Sequence, residues 1–308
     1  MSRAPGIQRR LRTCHAESDV AMYLSYDRRS LDIQYSPSSC VADIDVYLRG
    51  YAARSAAARR LPDARLGVRY GPRPEQLADF YPAGRAGAPM LVFVHGGYWQ
   101  EMSRHESAFM APDLVARGIS VAVLGYGLAP AYELPEIIAM VADGIRWICR
   151  SADRLPGAPG PIVVSGHSAG AHLVAMSLLD ESGWERCGAR PSEAVAGAIL
   201  VSGVYDLEPV RETYVNEALG LDAGTARACS PLHNLRAALP PLVVARGENE
   251  TDEFGRQQTE FVTAVRALGG QVTDFVVPIR NHFDLPYDLG DPETLLGDSL
   301  VRLTGRSR

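Results

Sequence analysis

From residue 89 onward, short unbroken apolar runs alternate with stretches in which apolar residues recur every three or four positions. The runs "PMLVFVHGG" (89–97), "ISVAVLGYG" (119–127), "PIVVSGHSAG" (161–170), "AVAGAILVSGVYDL" (194–207), "PPLVVARGE" (240–248) and "VTDFVVP" (272–278) predict strands buried on both faces. Between them, "ESAFMAPDLVARG" (106–118), stopped by Gly118, and "LPEIIAMVADGIRWICRSADRL" (134–155) carry helical spacing, as do "AHLVAMSLLDE" (171–181) and "EFGRQQTEFVTAVRALGG" (253–270). Upstream, Ile44, Tyr47, Leu48 and Tyr51 fall on one face of a helix over 41–61, and 66–71 and 77–84 read as edge strands. Residues 1–25 lack periodicity and are expected to form a flexible arm. Residues 26–308 show no repeat or linker and are expected to form a single domain. The alternation specifies an α/β fold, a mostly parallel sheet covered by helices on both faces, with its chemistry at the carboxyl ends of the strands.

Composition changes this picture little. With 308 residues, 46% hydrophobic and 22% charged, the chain can bury a sizeable core. A net charge of −5 argues against nucleic acid or an acidic membrane as partner. All 31 basic residues are Arg, a bias better ascribed to coding than to a phosphate-binding surface. Cys14, Cys40, Cys149, Cys187 and Cys229 are scattered, odd in number and without metal-binding spacing, so they read as free thiols. The basic N-terminus has no apolar stretch of a signal peptide, and no run reaches the ~18 residues of a membrane span, so a soluble cytoplasmic protein is expected.

The chemistry begins at Gly166-His167-Ser168-Ala169-Gly170, a G-x-S-x-G between a predicted strand and a predicted helix. A nucleophile at such a turn needs small residues two before and two after it, and the following helix N-terminus favours developing negative charge. Ser168 is therefore the expected nucleophile. His167 and His172, beside it, are expected to pack or line the pocket. A serine hydroxyl needs a base oriented by a carboxylate, in the chain order Ser, acid, His. His15, His95 and His105 precede the serine and His233 lies before the penultimate strand, which leaves His282, just past the last strand. The acid stays open at this point: "GENETDEF" offers Glu248, Glu250, Asp252 and Glu253, and Asp206 ends the preceding strand.

"HGGYW" at 95–99 then acquires a reason. A tetrahedral oxyanion needs preorganised N–H donors about 3 Å away, and glycines let the backbone approach it. The N–H groups of Gly97, Tyr98 and Ala169 are the expected donors, with His95 as a loop anchor.

These residues together resemble an α/β-hydrolase of the arylformamidase (kynurenine formamidase) family. The resemblance is carried by "HGGYWQ" (95–100), "ESAFM" (106–110), "YGLAP" (126–130), "GHSAGAHL" (166–173), "VSGVYDLEP" (201–209), "EFGRQQ" (253–258) and "NHF" (281–283), and upstream by "LDIQYSPS" (31–38) and "LADFYP" (77–82). It covers about residues 27 to 290, and HGGYW is its most specific element. The resemblance implies cofactor-free hydrolysis of N-formyl-L-kynurenine to L-kynurenine and formate. Ser168 would form a formyl-enzyme, His282 would shuttle the proton and Glu250 would orient it. The family's habit of an acid three residues after glycine selects Glu250, although the family usually carries aspartate there; Asp252 is the alternative acid. Tyr98 and Trp99 would either wall a flat aromatic substrate or pack the rim. For the substrate's amino-acid end the candidates are Arg104, Tyr205 and the segment 208–235, expected to fold over the site as a small cap. The expected partner is a small aryl formamide or ester, with a homodimer left open. A carboxylesterase or an amidase for another aryl substrate would carry the same motifs. So would a non-catalytic binding protein on the same scaffold.

Overall fold

A computed structural model describes residues 22–305. Its strands are β1 (Arg65–Arg69), β2 (Leu77–Tyr81), β3 (Met90–Val94), β4 (Ser120–Leu124), β5 (Ile162–His167), β6 (Gly197–Val201), β7 (Leu242–Asn249) and β8 (Val272–Asn281). They form one sheet in the order β1-β2-β4-β3-β5-β6-β7-β8. The pairs β1–β2 and β2–β4 are antiparallel, and every pair from β4–β3 to β7–β8 is parallel. The helices are α1 (Arg28–Gln34), α2 (Asp45–Ala58), α3 (Ala111–Ala116), α4 (Leu134–Ser151), α5 (Ala169–Leu179), α6 (Glu181–Arg186), α7 (Pro191–Ala194), α8 (Asn216–Leu219), α9 (Ala223–Ala228), α10 (Asp252–Ala267) and α11 (Leu295–Leu303).

The continuous apolar runs are explained by the two cores they separate. Along β3, Met90, Val92 and Val94 enter one cluster with α4, α5 and α10, while Leu91 and Phe93 enter the other with α2, α3 and α11. Strand side chains alternate faces, so a strand covered on both sides must be apolar at every position. Helix α4 turns Leu134, Ile137, Val141, Ile145 and Ile148 into the first cluster. A reciprocal capping box between Glu133 and Glu136, with proline in the first turn, starts it.

Three local expectations are corrected. The helix expected over 106–118 is only α3, because Pro112 has no N–H and serves at the start of a helix rather than inside one. The strand expected over 194–207 stops at Val201, since Ser202 takes φ +50° and breaks the extended path. The segment 77–84 is no edge: β2 lies between β1 and β4 and is buried along most of its length. The arm expected over 1–25 falls outside the described residues except for 22–25, where Tyr23 and Tyr26 bridge across a tight turn. Between β6 and β7, residues 208–235 fold as short helices and turns, among them α8 and α9. Among the described residues, no helix is long and apolar enough to cross a membrane.

Candidate active site

Ser168 stands between β5 and α5 with φ +56° and ψ −122°, in neither strand nor helix geometry. A non-glycine residue there stores on the order of 1–3 kcal/mol of strain, sustained by its surroundings. Its N–H donates to the Val201 carbonyl of β6 at 2.8 Å, and its own carbonyl accepts from Ala171 and His172. The flanking glycines are steric necessities. A Cβ at Gly166 would collide with the Gly170 carbonyl, and one at Gly170 with the carbonyls of Val94 and His95 at the end of β3.

β8 delivers His282 one residue past its end, and β7 delivers Glu250 after a register irregularity between Gly247 and Asn249. The two meet through His282 Nδ1 and Glu250 Oε2 at 2.8 Å, with the glutamate side chain fully buried. The other carboxylate oxygen, Oε1, accepts from Gly247 N at 2.6 Å and Ser202 Oγ at 2.7 Å. A carboxylate can only accept, so the imidazole proton sits on Nδ1 and Nε2 is left as a base. His282 Nε2 has no hydrogen-bond partner among the described residues, and His282 and Ser168 line the same cavity. His167 braces the His282 backbone by donating from Nε2 to its carbonyl at 2.8 Å, and the two rings lie 4.6 Å apart. The other acids stand elsewhere. Asp252 is exposed in the first turn of α10, and Asp206 lies 3.3 Å from His233. Ser202, which holds Glu250, lies within "VSGVYDLEP" and has φ +50°, a conformation that carries no sequence signal.

Past β3 the chain turns through three consecutive left-handed residues, Gly97 (φ +100°), Tyr98 (φ +48°) and Trp99 (φ +60°). Gly96 backs onto Ser168: a Cβ there would stand 2.9 Å from the His167 carbonyl and 3.1 Å from Ser168 Cβ. The N–H groups of Gly97 and Tyr98 donate to nothing among the described residues. That of Ala169, first in α5, has no intrahelical acceptor. His95 anchors the turn, donating from Nδ1 to the Gly96 carbonyl at 2.9 Å and stacking on Tyr126 at 4.2 Å. Tyr98 lines the cavity. Trp99 does not: it is fully buried, with Nε1 donating to His172 Nδ1 at 3.1 Å, so it packs the core and forms no substrate wall.

The cavity holds about 400 Å³. Much of its wall comes from the N-terminal region, through Pro37, Ser38, Ile44, Leu48 and Tyr51, and from the segment after β6 only Tyr214 and Val215 reach it. Tyr35 clasps these parts together. Its carbonyl accepts from Tyr98 Oη at 2.6 Å and Tyr214 Oη at 3.3 Å, and its hydroxyl donates to Glu253 of α10 at 2.9 Å. Arg104 and Tyr205, expected near a substrate's amino-acid end, are elsewhere. Arg104 pairs with the buried Asp79, and Tyr205 stacks on Phe261 in the core. Among the described residues, no set of three or more His, Cys, Asp or Glu side chains stands together to hold a metal ion.

Burial keeps the supporting histidines neutral. It pushes His95 and His172 down to about 4, and His167 well below the ordinary imidazole range, helped by the neighbouring His282. An unfolded imidazole titrates near 6.5, so these groups bind protons on unfolding. Their contribution is fully present above pH 6.5 and is lost as pH falls towards 4, on the order of 3 kcal/mol for each of His95 and His172. Unfolding in urea at pH 5 should therefore take up two to three protons. A slope of unfolding free energy against pH below one proton would contradict the neutral assignment.

Known proteins resemble this chain along most of its length. The BD-FAE family model matches residues 79–260. The kynurenine formamidase of Salmo salar is 32% identical over 302 residues, covering 94% of this chain and 100% of that protein. That of Danio rerio is 31% identical over 296 residues, covering 92% and 98%. A thioesterase candidate from Silicibacter sp. TM1040, solved by crystallography, matches with a TM-score of 0.76 at 28% identity, over 90% of this chain and 99% of that one.

Proposed function

Because the chain belongs to the kynurenine formamidase family of α/β-hydrolases, we propose that this hydrolase cleaves an aryl formamide, N-formyl-L-kynurenine foremost, through a formyl-enzyme on Ser168. The observation that carries the reading is the meeting of Ser168 and His282 in one cavity, with His282 bonded to the buried Glu250. In this reading Ser168 Oγ attacks the formyl carbon and its proton passes to His282 Nε2. The carbonyl oxygen becomes an oxyanion facing the free N–H groups of Gly97, Tyr98 and Ala169. As the intermediate collapses, the C–N bond breaks and His282 protonates the departing aniline nitrogen. Water then attacks the formyl ester with the same histidine as base, releasing formate and restoring Ser168. An anilide nitrogen leaves more readily than an alkyl amine, so one general acid suffices.

An esterase is the second reading, favoured by the likeness to a thioesterase candidate and by motifs that encode acyl transfer rather than the substrate. Steady-state kcat/KM on N-formylkynurenine, set against a short p-nitrophenyl ester, separates the two. Turnover of the formamide is expected; ester cleavage with no formamide cleavage would overturn the substrate assignment.

A further inference from the structure

The cavity's charged groups are all of one sign. Among the described residues that line it, Glu106 and the more exposed Glu101 are the only ones whose side chains carry a fixed charge. No arginine joins them, in a chain whose 31 basic residues are all Arg. Arg59 and Arg104 are held against the buried Asp79 at 3.4 and 3.1 Å. The lining His167 adds no positive charge, since burial holds it neutral. Both carboxylates have acceptor capacity to spare. Glu106 takes one hydrogen bond, from Ser103 Oγ to its Oε2 at 2.6 Å, and Glu101 takes none among the described residues. The charge of Glu101 is felt at the Tyr214 hydroxyl on the cavity wall. The same cavity is lined by Tyr51, Tyr98, Tyr214 and Phe283, aromatic rings of a kind whose faces attract cations.

We infer that the site selects aryl formamides whose side chain ends in an ammonium group and disfavours those whose only charge is a carboxylate. This rests on the formamidase reading and sharpens it. A carboxylate brought among two like charges in a partly enclosed space is repelled, and an ammonium is attracted. A zwitterionic amino-acid side chain enters with its ammonium towards Glu101 and Glu106 and its carboxylate towards solvent. An N-formylated aromatic acid has no such orientation open to it. The selection is electrostatic, so it weakens as salt screens the charges.

The test uses the full chain and three formanilides of matched ring and side-chain length, ending in an ammonium, a hydroxyl or a carboxylate. At low salt, kcat/KM should fall by roughly tenfold at each step in that order, and the spread should shrink at high ionic strength. In Glu101→Gln and Glu106→Gln, singly and together, the ammonium-to-hydroxyl ratio should drop towards one. A ratio taken within one protein is insensitive to any loss of folded enzyme. A carboxylate substrate turned over as fast as the hydroxyl one would overturn the inference, as would a preference that survives the double substitution. Should no formanilide be cleaved, the failure belongs to the formamidase reading. The same charge series built on aryl esters then decides the selectivity on the same ratios.

Discussion

Ser168→Ala should lower kcat by about 10⁴–10⁶-fold while leaving the thermal midpoint nearly unchanged. The hydroxyl is the only group removed, and it makes no hydrogen bond among the described residues. Alanine keeps the same Cβ, so the strain at φ +56° is carried over. What survives in the variant is the contribution of substrate binding and of the oxyanion donors, which on their own give roughly 10³–10⁴ over water. A fluorophosphonate should label the parent chain at Ser168 and fail to label the variant. Retention of more than about one part in a hundred of kcat would place the nucleophile elsewhere. The neighbouring hydroxyl at a left-handed strand end, Ser202, is poorly suited to take over, because its proton is directed at Glu250.

The parts of this site that could be read from the sequence are those set by local backbone demands. Short unbroken runs such as "MLVFV", bounded by Pro and Gly, read as strands covered on both faces, and the glycines around Ser168 and after His95 mark turns where a Cβ would collide. Side-chain direction at such turns was not legible. Tyr98 and Trp99 are adjacent and both left-handed, yet one faces the cavity and the other is swallowed by the core, because His172 on α5 offers Trp99 a hydrogen-bond acceptor. The N-terminal wall was equally hidden. Ile44, Leu48 and Tyr51 do form a helical face as their spacing predicts, but only the folded chain shows that this face closes the cavity. The clasp at Tyr35 joins residues more than 200 positions apart, a relation no local pattern encodes.

The choice of acid was the widest ambiguity, and Glu250→Gln addresses it with the second large effect. The isosteric amide should lower kcat by about 10⁴-fold, for a reason fixed by the two donors on the far oxygen. Gly247 N and Ser202 Oγ both point at Oε1, so the glutamine must keep its carbonyl oxygen there. Its NH₂ group is then turned to His282 Nδ1, where a carboxylate oxygen had accepted a hydrogen bond. A donor at that position forces the neutral imidazole to carry its proton on Nε2, the atom that must take one from Ser168. The imidazolium formed during turnover also loses its counter-charge. Asp252→Asn should leave kcat within about twofold, since that side chain is exposed and only faces the start of α10. Ser202→Ala should fall between them, at about 10–100-fold, the worth of one hydrogen bond to a charged group. The rates of the three variants, measured on one substrate at one pH, order the side chains by their distance from the proton transfer. An Asp252→Asn loss larger than that of Glu250→Gln would move the acid to α10, and an intact rate in Ser202→Ala would mean that Gly247 alone holds the carboxylate.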